Sequence, residues 1–304
     1  MLLVVAESTG SSPGRQGYKM AVSSEGELFG SIGGGVMEVR LVEQAKGKSK
    51  KAKGKTKSKV VDQVHRKNVA NSSGMICSGK QTVIFKELSP HDFATVETII
   101  GSLENRTLRY LSIAPSDFRA DSPEGGTPNA DFCFEKLSES DFLYSEKLGP
   151  KSKLYIVGGG HCALALSELM SRMDFHIRIF DDRPELNTIE KNRFADEITI
   201  IDNYEQIGEL ILAGSNVYVV VMTLGYVSDE VVIRDLLNKE FRYFGVLGSR
   251  AKMKTLLTGL EKDGCSKEKL DRIHTPIGLR INSHTPAEIA VSIAAQIIAV
   301  KNKD

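Results

Sequence analysis

The rhythm of apolar positions changes about halfway along the chain. Near the N-terminus "LLVVAES" is an apolar run and "YKMAVSS" alternates, with the turn-rich "TGSSPGRQG" between them, so both read as strands. "ELFGSI" gives a third strand. Gly33 to Gly35 then open a helix, because Met37, Leu41 and Ala45 recur four residues apart. A small-residue loop, "NSSGMICSGK", leads into a strand from Gln81 to Glu87. "SPHDFATVETIIGSL" carries a helix-start signature, with Ser89 as N-cap, Pro90 at N1 and Asp92 at N3. "TLRYLSI" and "FCFEKL" are further strands, joined by a polar loop rich in Gly and Pro. This mixed region ends near Gly149-Pro150, which assigns residues 1–150 to a first domain. The chain opens within its first strand, as though a preceding helix were missing.

From Lys153 onward, strands alternate with helices. "KLYIVG", "HIRIFD", "EITIID", "NVYVVVMT" and "YFGVLGS" are strands, several of them almost continuously apolar, as both-face burial in a parallel sheet requires. Ala163, Leu166, Met170 and Met173 form one helical stripe; Val232, Ile233, Leu236 and Leu237 form another. The closing "HTPAEIAVSIAAQIIAV" predicts a helix with Thr285 as N-cap, Pro286 at N1 and Glu288 completing a capping box. The fold class is therefore α/β: an N-terminal mixed α+β domain, then a C-terminal Rossmann-like, doubly wound parallel sheet over residues 151–304.

Composition sharpens this picture at one place. The chain has 304 residues, 41% of them hydrophobic, and a formal net charge of +1. The segment Lys46 to Lys59 holds eight lysines and no acid, so the remainder stands at −7. That balance argues against a globally basic nucleic-acid binder, and the lysine run is expected to be a solvated, disordered insertion in the first domain rather than a nucleic-acid or anion tether. Cys77, Cys133, Cys162 and Cys265 show neither CxxC nor zinc-ligand spacing. Free thiols in a cytoplasmic protein are the expectation, with no signal peptide and no membrane span.

The candidate chemistry centres on "YIVGGGHCALALSELMSRMDFHIRIFDDR". Gly158, Gly160 and Ala163 fit GxGxxA between a strand and a helix. Gly158 permits the turn, Gly160 lets amides approach a pyrophosphate, and Ala163 lets the helix pack. Asp181 ends the next strand and is placed for a ribose diol, favouring NAD over NADP; Asp182 should face the other way. His161 stands at the mouth, as a ligand contact or a solvated cap. Further contacts are expected after the later strands, at Thr223 and at Ser249-Arg250, a hydroxyl and a guanidinium that suit a phosphate or simply cap a helix. Gly33, Gly34 and Gly35 offer a second anion nest. Cys77, with Lys80 nearby, is either a reactive thiolate or a packed thiol. Hydride transfer needs an acid–base partner, and the second domain shows no obvious one; His274 and His284 read as turn or cap residues.

These segments together resemble the XdhC/CoxI family along nearly the whole chain. The resemblance is carried by "ESTGSSPGRQGYKMAV", "GSIGGGVME", "SGMICSGKQTVIF", "LYIVGGGHCALAL", "FDDRPE", "YFGVLGSRAKM" and "TPIGLRINSHTPAEIAVSIAAQIIAV". It implies a dimeric maturation chaperone, more than an enzyme with turnover. Such a protein would bind the molybdenum cofactor (molybdopterin), help it receive its terminal sulfur, and deliver it to apo xanthine dehydrogenase or a related molybdenum hydroxylase. A cysteine desulfurase is a further candidate partner. The resemblance makes Cys77 a possible molybdenum or sulfur contact, although the family's "CGG"-like motif reads Cys77-Ser78-Gly79 here. The lysine run departs from the pattern. So does "TLGYVSDE", which keeps Thr223 and Asp229 where many relatives carry a histidine and an aspartate. The alternative is an NAD-dependent oxidoreductase or an NAD-sensing regulator using the same glycine turn.

Overall fold

The N-terminal apolar run becomes β1 (Leu2–Gly10), the central strand of an antiparallel sheet. In this computed structural model, residues 1–49, 58–65, 79–123, 130–138 and 140–303 are described. The chain divides between Gly149 and Pro150 into two compact units.

In the first unit β1 is followed by β2 (Lys19–Val22), β3 (Leu28–Gly30), α1 (Gly35–Ser49), β4 (Ser58–His65) and β5 (Gly79–Lys86). These five strands form one sheet in the order β3-β2-β1-β5-β4. After a 3-10 turn at Pro90–Asp92 come α2 (Phe93–Glu104), β6 (Arg109–Ile113), β7 (Phe118–Asp121), β8 (Phe132–Lys136) and β9 (Phe142–Leu148). The last four strands make a second antiparallel sheet, β7-β6-β9-β8. The continuity of "LLVVA" has a physical cause. Leu3 and Val5 pack with Leu41, Val42 and Ala45 of α1, whereas Val4 and Ala6 pack with Leu111, Ile113 and Tyr144 of the second sheet. Both faces of β1 are covered, so both alternating sets are apolar.

Three strands were not legible in the sequence. β4 begins inside the end of the lysine run, β7 lies inside the Gly/Pro-rich loop, and β9 carries Glu146 at an inward position. Glu146 is 3% exposed and is bonded by the Lys19 ammonium and the Tyr144 hydroxyl, which is how a charge is tolerated there. The lysine run also needs correction at its ends. Its first four residues complete α1 and its last two open β4, while residues 50–57 lie outside the described residues. Lysine is a good helix former, and a cation at a helix C-terminus is favourable.

The second unit contains β10 (Ser152–Val157), α3 (His161–Met170), β11 (Phe175–Asp181), α4 (Asn187–Glu190), β12 (Glu197–Ile200), α5 (Ile207–Leu210), β13 (Gly214–Val221), α6 (Tyr226–Leu236), β14 (Phe241–Val246), α7 (Arg250–Lys262), α8 (Lys267–Leu270) and α9 (Pro286–Lys301). The strands are parallel in the order β12-β11-β10-β13-β14, the doubly wound arrangement expected. One face is covered by α3 and α9 around Ile156, Leu166 and Ile293. The other is covered by α6 and α7 around Val219, Val232 and Leu256. The Thr285–Glu288 capping box at the start of α9 is present, with the Thr285 hydroxyl accepting from the Glu288 amide at 3.3 Å. Among the described residues no helix is long and apolar enough to cross a membrane.

Candidate functional site

The chain leaves β10 toward β11 and β12 and later returns to place β13 on the other side of β10. The crevice at such a switch point, at the carboxyl ends of the strands, is where doubly wound sheets hold ligands. The glycine turn stands on one side of it. Gly158 has φ +105, and a Cβ there would lie 2.3 Å from the Met222 carbonyl oxygen, so only glycine lets this turn close against the end of β13. Gly160 is the N-cap of α3, and nothing lies within 4 Å of where its Cβ would be. Ala163 is fully buried beneath the helix, and His161 is exposed at its first position. The space beside Gly160, at the positive end of the α3 dipole, is thus open.

Asp181 ends β11 as expected, but its side chain is already engaged. It is fully buried. Its Oδ2 accepts from the Gly159 amide at 2.6 Å and from Arg183 Nη2 at 2.7 Å. Its Oδ1 accepts from the Arg183 amide at 2.9 Å and Arg183 Nε at 2.8 Å. A carboxylate offers about four acceptor sites, so this arrangement leaves none for a ribose diol. Burial alone would raise the Asp181 pKa. The bonds from Arg183 and Gly159, with the guanidinium charge, outweigh it and hold the carboxyl below the usual range. Asp182 instead accepts from the Tyr204 hydroxyl at 3.1 Å.

Across the crevice, the Thr223 hydroxyl donates to Asp229 at 2.6 Å. Asp229 is 1% exposed, and its second oxygen takes the Lys252 ammonium at 3.1 Å. Ser249 is the N-cap of α7, its hydroxyl accepting from the Lys252 amide at 3.3 Å. Thr223, Asp229, Lys252 and Ser249 therefore form one connected polar cluster. Arg250 is exposed and stands apart from it. Sequence reasoning missed Arg183 and Lys252. Arg183 had a signal, a cation two residues after an acid at a strand end. Lys252 had none, because 23 residues separate it from Asp229. His284 takes the cap role, its amide donating to Glu288, but His274 is neither turn nor cap: it forms a parallel β-bridge with Gly245 and stacks on Tyr243 with centroids 4.7 Å apart. Burial, with the Lys303 charge, holds His274 below its ordinary pKa. Cys162 packs against the apolar face beneath α3, and burial pushes its thiol up.

In the first unit the glycine turn before α1 is an anion nest, as its sequence suggested, but the anion is the chain's own. Glu38 Oε2 accepts from the Ile32 amide at 2.8 Å, the Gly34 amide at 2.9 Å and the Ser31 hydroxyl at 2.7 Å. Burial opposes the charge, yet these donors hold the Glu38 carboxyl below its usual range. Gly33, Gly34 and Gly35 all have positive φ, which permits the turn. Gln81, 1% exposed, accepts from the Ser12 hydroxyl at 3.1 Å and donates to the Ile32 carbonyl at 2.8 Å. Gly79 packs closely enough that a Cβ would meet the Ser12 amide at 2.7 Å. The "TGSSPG" loop, the glycine turn and the start of β5 thus converge. Cys77 lies outside the described residues. Among the described residues no group of three His, Cys, Asp or Glu side chains is placed to hold a metal ion.

Residues 154–297 match the family model of the XdhC Rossmann domain, and residues 1–58 match that of the XdhC and CoxI family. An uncharacterized protein, YqeB of Escherichia coli (strain K12), is 23% identical over 300 residues, which cover 98% of this chain and 43% of that protein. A Bacillus subtilis (strain 168) protein named as a probable xanthine dehydrogenase subunit is 28% identical over 161 residues, 53% of this chain and 46% of that one. The chain therefore spans less than half the length of these curated relatives. A crystal structure described as a xanthine dehydrogenase from Bacillus halodurans shares the fold, with a TM-score of 0.69 at 23% identity over 100% of this chain and 92% of that chain.

Proposed function

The chain belongs to the XdhC and CoxI family, and from that membership we propose that it is an accessory protein of a xanthine-dehydrogenase-type molybdenum hydroxylase. In this reading its cargo is the molybdenum cofactor, which it holds while the terminal sulfur is added and then hands to the apoenzyme. It works as a homodimer, with a cysteine desulfurase as the source of sulfur. The observation that carries the reading is the presence of both family segments, in order, in one chain. The relative named as a probable xanthine dehydrogenase subunit supports it.

The residues suit an anionic cargo. The amides at the start of α3, beside the open space at Gly160, would meet a phosphate or pyrophosphate. Cys77, carried over from the family motif, would contribute a thiolate toward the metal or its sulfur. The alternative, an NAD-dependent oxidoreductase or NAD-sensing regulator, needs a ribose diol at Asp181. The four bonds already made by that carboxylate oppose it.

The test is mass spectrometry and metal analysis of protein purified from a cofactor-producing host, without added ligand. Stoichiometric molybdopterin is expected. NAD in its place, with neither pterin nor molybdenum, would overturn the reading in favour of the alternative. Cys77→Ala is expected to lower retained molybdenum or sulfur-loaded cofactor; full retention would remove Cys77 from the site.

A further inference from the structure

The carboxyl end of β14, at the edge of the parallel sheet, opens onto a cleft of about 650 Å³. Its walls are Gly248 to Arg250 at the start of α7, the segment from Ile273 to Ser283, and Ser292 and Gln296 of α9. Neither the glycine turn nor Thr223 contributes to it. The volume lies within the range of pockets that enclose a small-molecule ligand.

The cleft is shaped by an outer wall that is tied down from His274 to Leu279. The His274 amide donates to the Phe244 carbonyl at 2.8 Å and the Ile277 amide to the Val246 carbonyl at 3.1 Å. Gln296 Oε1 accepts from the Gly278 amide at 2.8 Å and from the Tyr243 hydroxyl at 2.6 Å. The Ser292 hydroxyl donates to the Leu279 carbonyl at 2.7 Å. Gly278 has φ +93, and a Cβ there would sit 2.1 Å from Ser292 Oγ, so the seat of this wall on α9 requires glycine.

The charge in the cleft is of one sign. Arg250 and Arg280 line it, and no Asp or Glu does. Among the described residues neither arginine side chain makes an ion pair or a hydrogen bond to protein. Several other arginines of this unit are paired, Arg183 with Asp181, Arg234 with Glu230, and Arg272 with Glu268 and Glu240, so what sets Arg250 and Arg280 apart is that they line one acid-free cleft. Two guanidiniums lining an acid-free concavity leave its positive charge uncompensated by protein, and a multiply charged oxyanion would compensate it. Their planar forks match phosphate oxygens in pairs. The cleft also offers the hydroxyl of Ser249 and the side-chain amide of Asn282 as neutral donors, while the Thr275 hydroxyl is committed to the Val246 carbonyl at 3.1 Å.

We infer that this cleft binds the phosphate group of a phosphorylated small molecule, with Arg250 and Arg280 as its two anchoring side chains. It adjoins the polar cluster across the crevice at Ser249 but takes in neither the glycine turn nor Thr223. The inference stands without the accessory-protein reading: that reading fails if no pterin co-purifies, whereas this one fails on the measurement that follows.

Inorganic pyrophosphate is titrated into the full chain by isothermal calorimetry. Saturable binding is expected, weakened roughly ten- to a hundredfold by Arg250→Gln or Arg280→Gln alone and lost in the double variant. Both side chains are exposed, so circular dichroism is expected to be unchanged. Lys262→Gln removes one charge from the far end of α7 and is expected to keep full affinity, separating a site from a net-charge effect. ADP tests the source of the phosphate. Tighter binding than pyrophosphate, lost in the same variants, supports a nucleotide ligand; equal binding supports a phosphate carried by another group. No saturation at millimolar pyrophosphate, or undiminished binding in the double variant, would overturn the inference.

Discussion

At the scale of single residues, two carboxylates are held charged by donors that the chain itself supplies. Glu38 sits in the glycine nest before α1, and Asp181 sits between Gly159 and Arg183. Glu38→Gln keeps the shape and removes the charge, and should cost about 1–2 kcal/mol in urea unfolding. The pH dependence follows from the sign of the shift. A carboxyl whose folded pKa is depressed contributes its stability in full above its ordinary value, 4.5 for Glu38, and loses it as pH falls through the lowered folded value. The gap between wild type and Glu38→Gln should therefore be constant near neutrality and close in acid. A gap that persists below both pKa values would mean the substitution acts through packing. Arg183→Ala removes two of the four bonds to Asp181. It should destabilise by about 3 kcal/mol. It should also move the Asp181 carboxyl upward in a carbon-detected NMR titration, because burial then meets only the two amide donors.

At the scale of elements, the glycine turn separates two demands that the sequence motif merges. Gly158→Ala would press a Cβ against the end of β13 at positive φ and should cost at least about 3 kcal/mol. Gly160→Ala meets nothing and keeps an ordinary φ, so it should cost less than about 1 kcal/mol in thermal unfolding. It should nonetheless weaken any ligand at the start of α3, read by calorimetry. Equal losses of stability in both variants would remove this distinction. Strands and helices with unmixed patterns were legible: β1, β5, the five parallel strands and α9 stand where their apolar spacing put them. What escaped were elements whose signal is tertiary. β9 hides a buried glutamate that only Lys19 and Tyr144 make tolerable. Likewise, Gly158 and Gly160 were readable as a cradle, but the saturation of Asp181 by Arg183 was not, because a motif gives the position of a carboxylate and not its bonds.

At the scale of the whole molecule, each unit carries its own core. Two apolar clusters draw only on residues before Gly149, and two only on residues after Pro150. Independent cores are the condition for independent folding. Residues 150–304 expressed alone should therefore unfold in one cooperative transition, with far-ultraviolet dichroism of an α/β domain; a broad, non-cooperative melt would show that this unit needs the other. The pairing of β1 with β5 carries a different consequence, for the nascent chain on the ribosome. Leu2 to Gly10 pair with Gly79 to Lys86. At about 5–20 residues per second, the partner strand emerges roughly 4–15 s after the first. During that interval "LLVVA" has β2 on one edge and nothing on the other, an open template for a stray strand. The lysine-rich stretch is synthesised within the same interval. Lengthening such a connection costs only about 0.6 kcal/mol per doubling at equilibrium. Its lasting effect is therefore on timing, since each added residue prolongs the exposure of the first strand before its partner arrives.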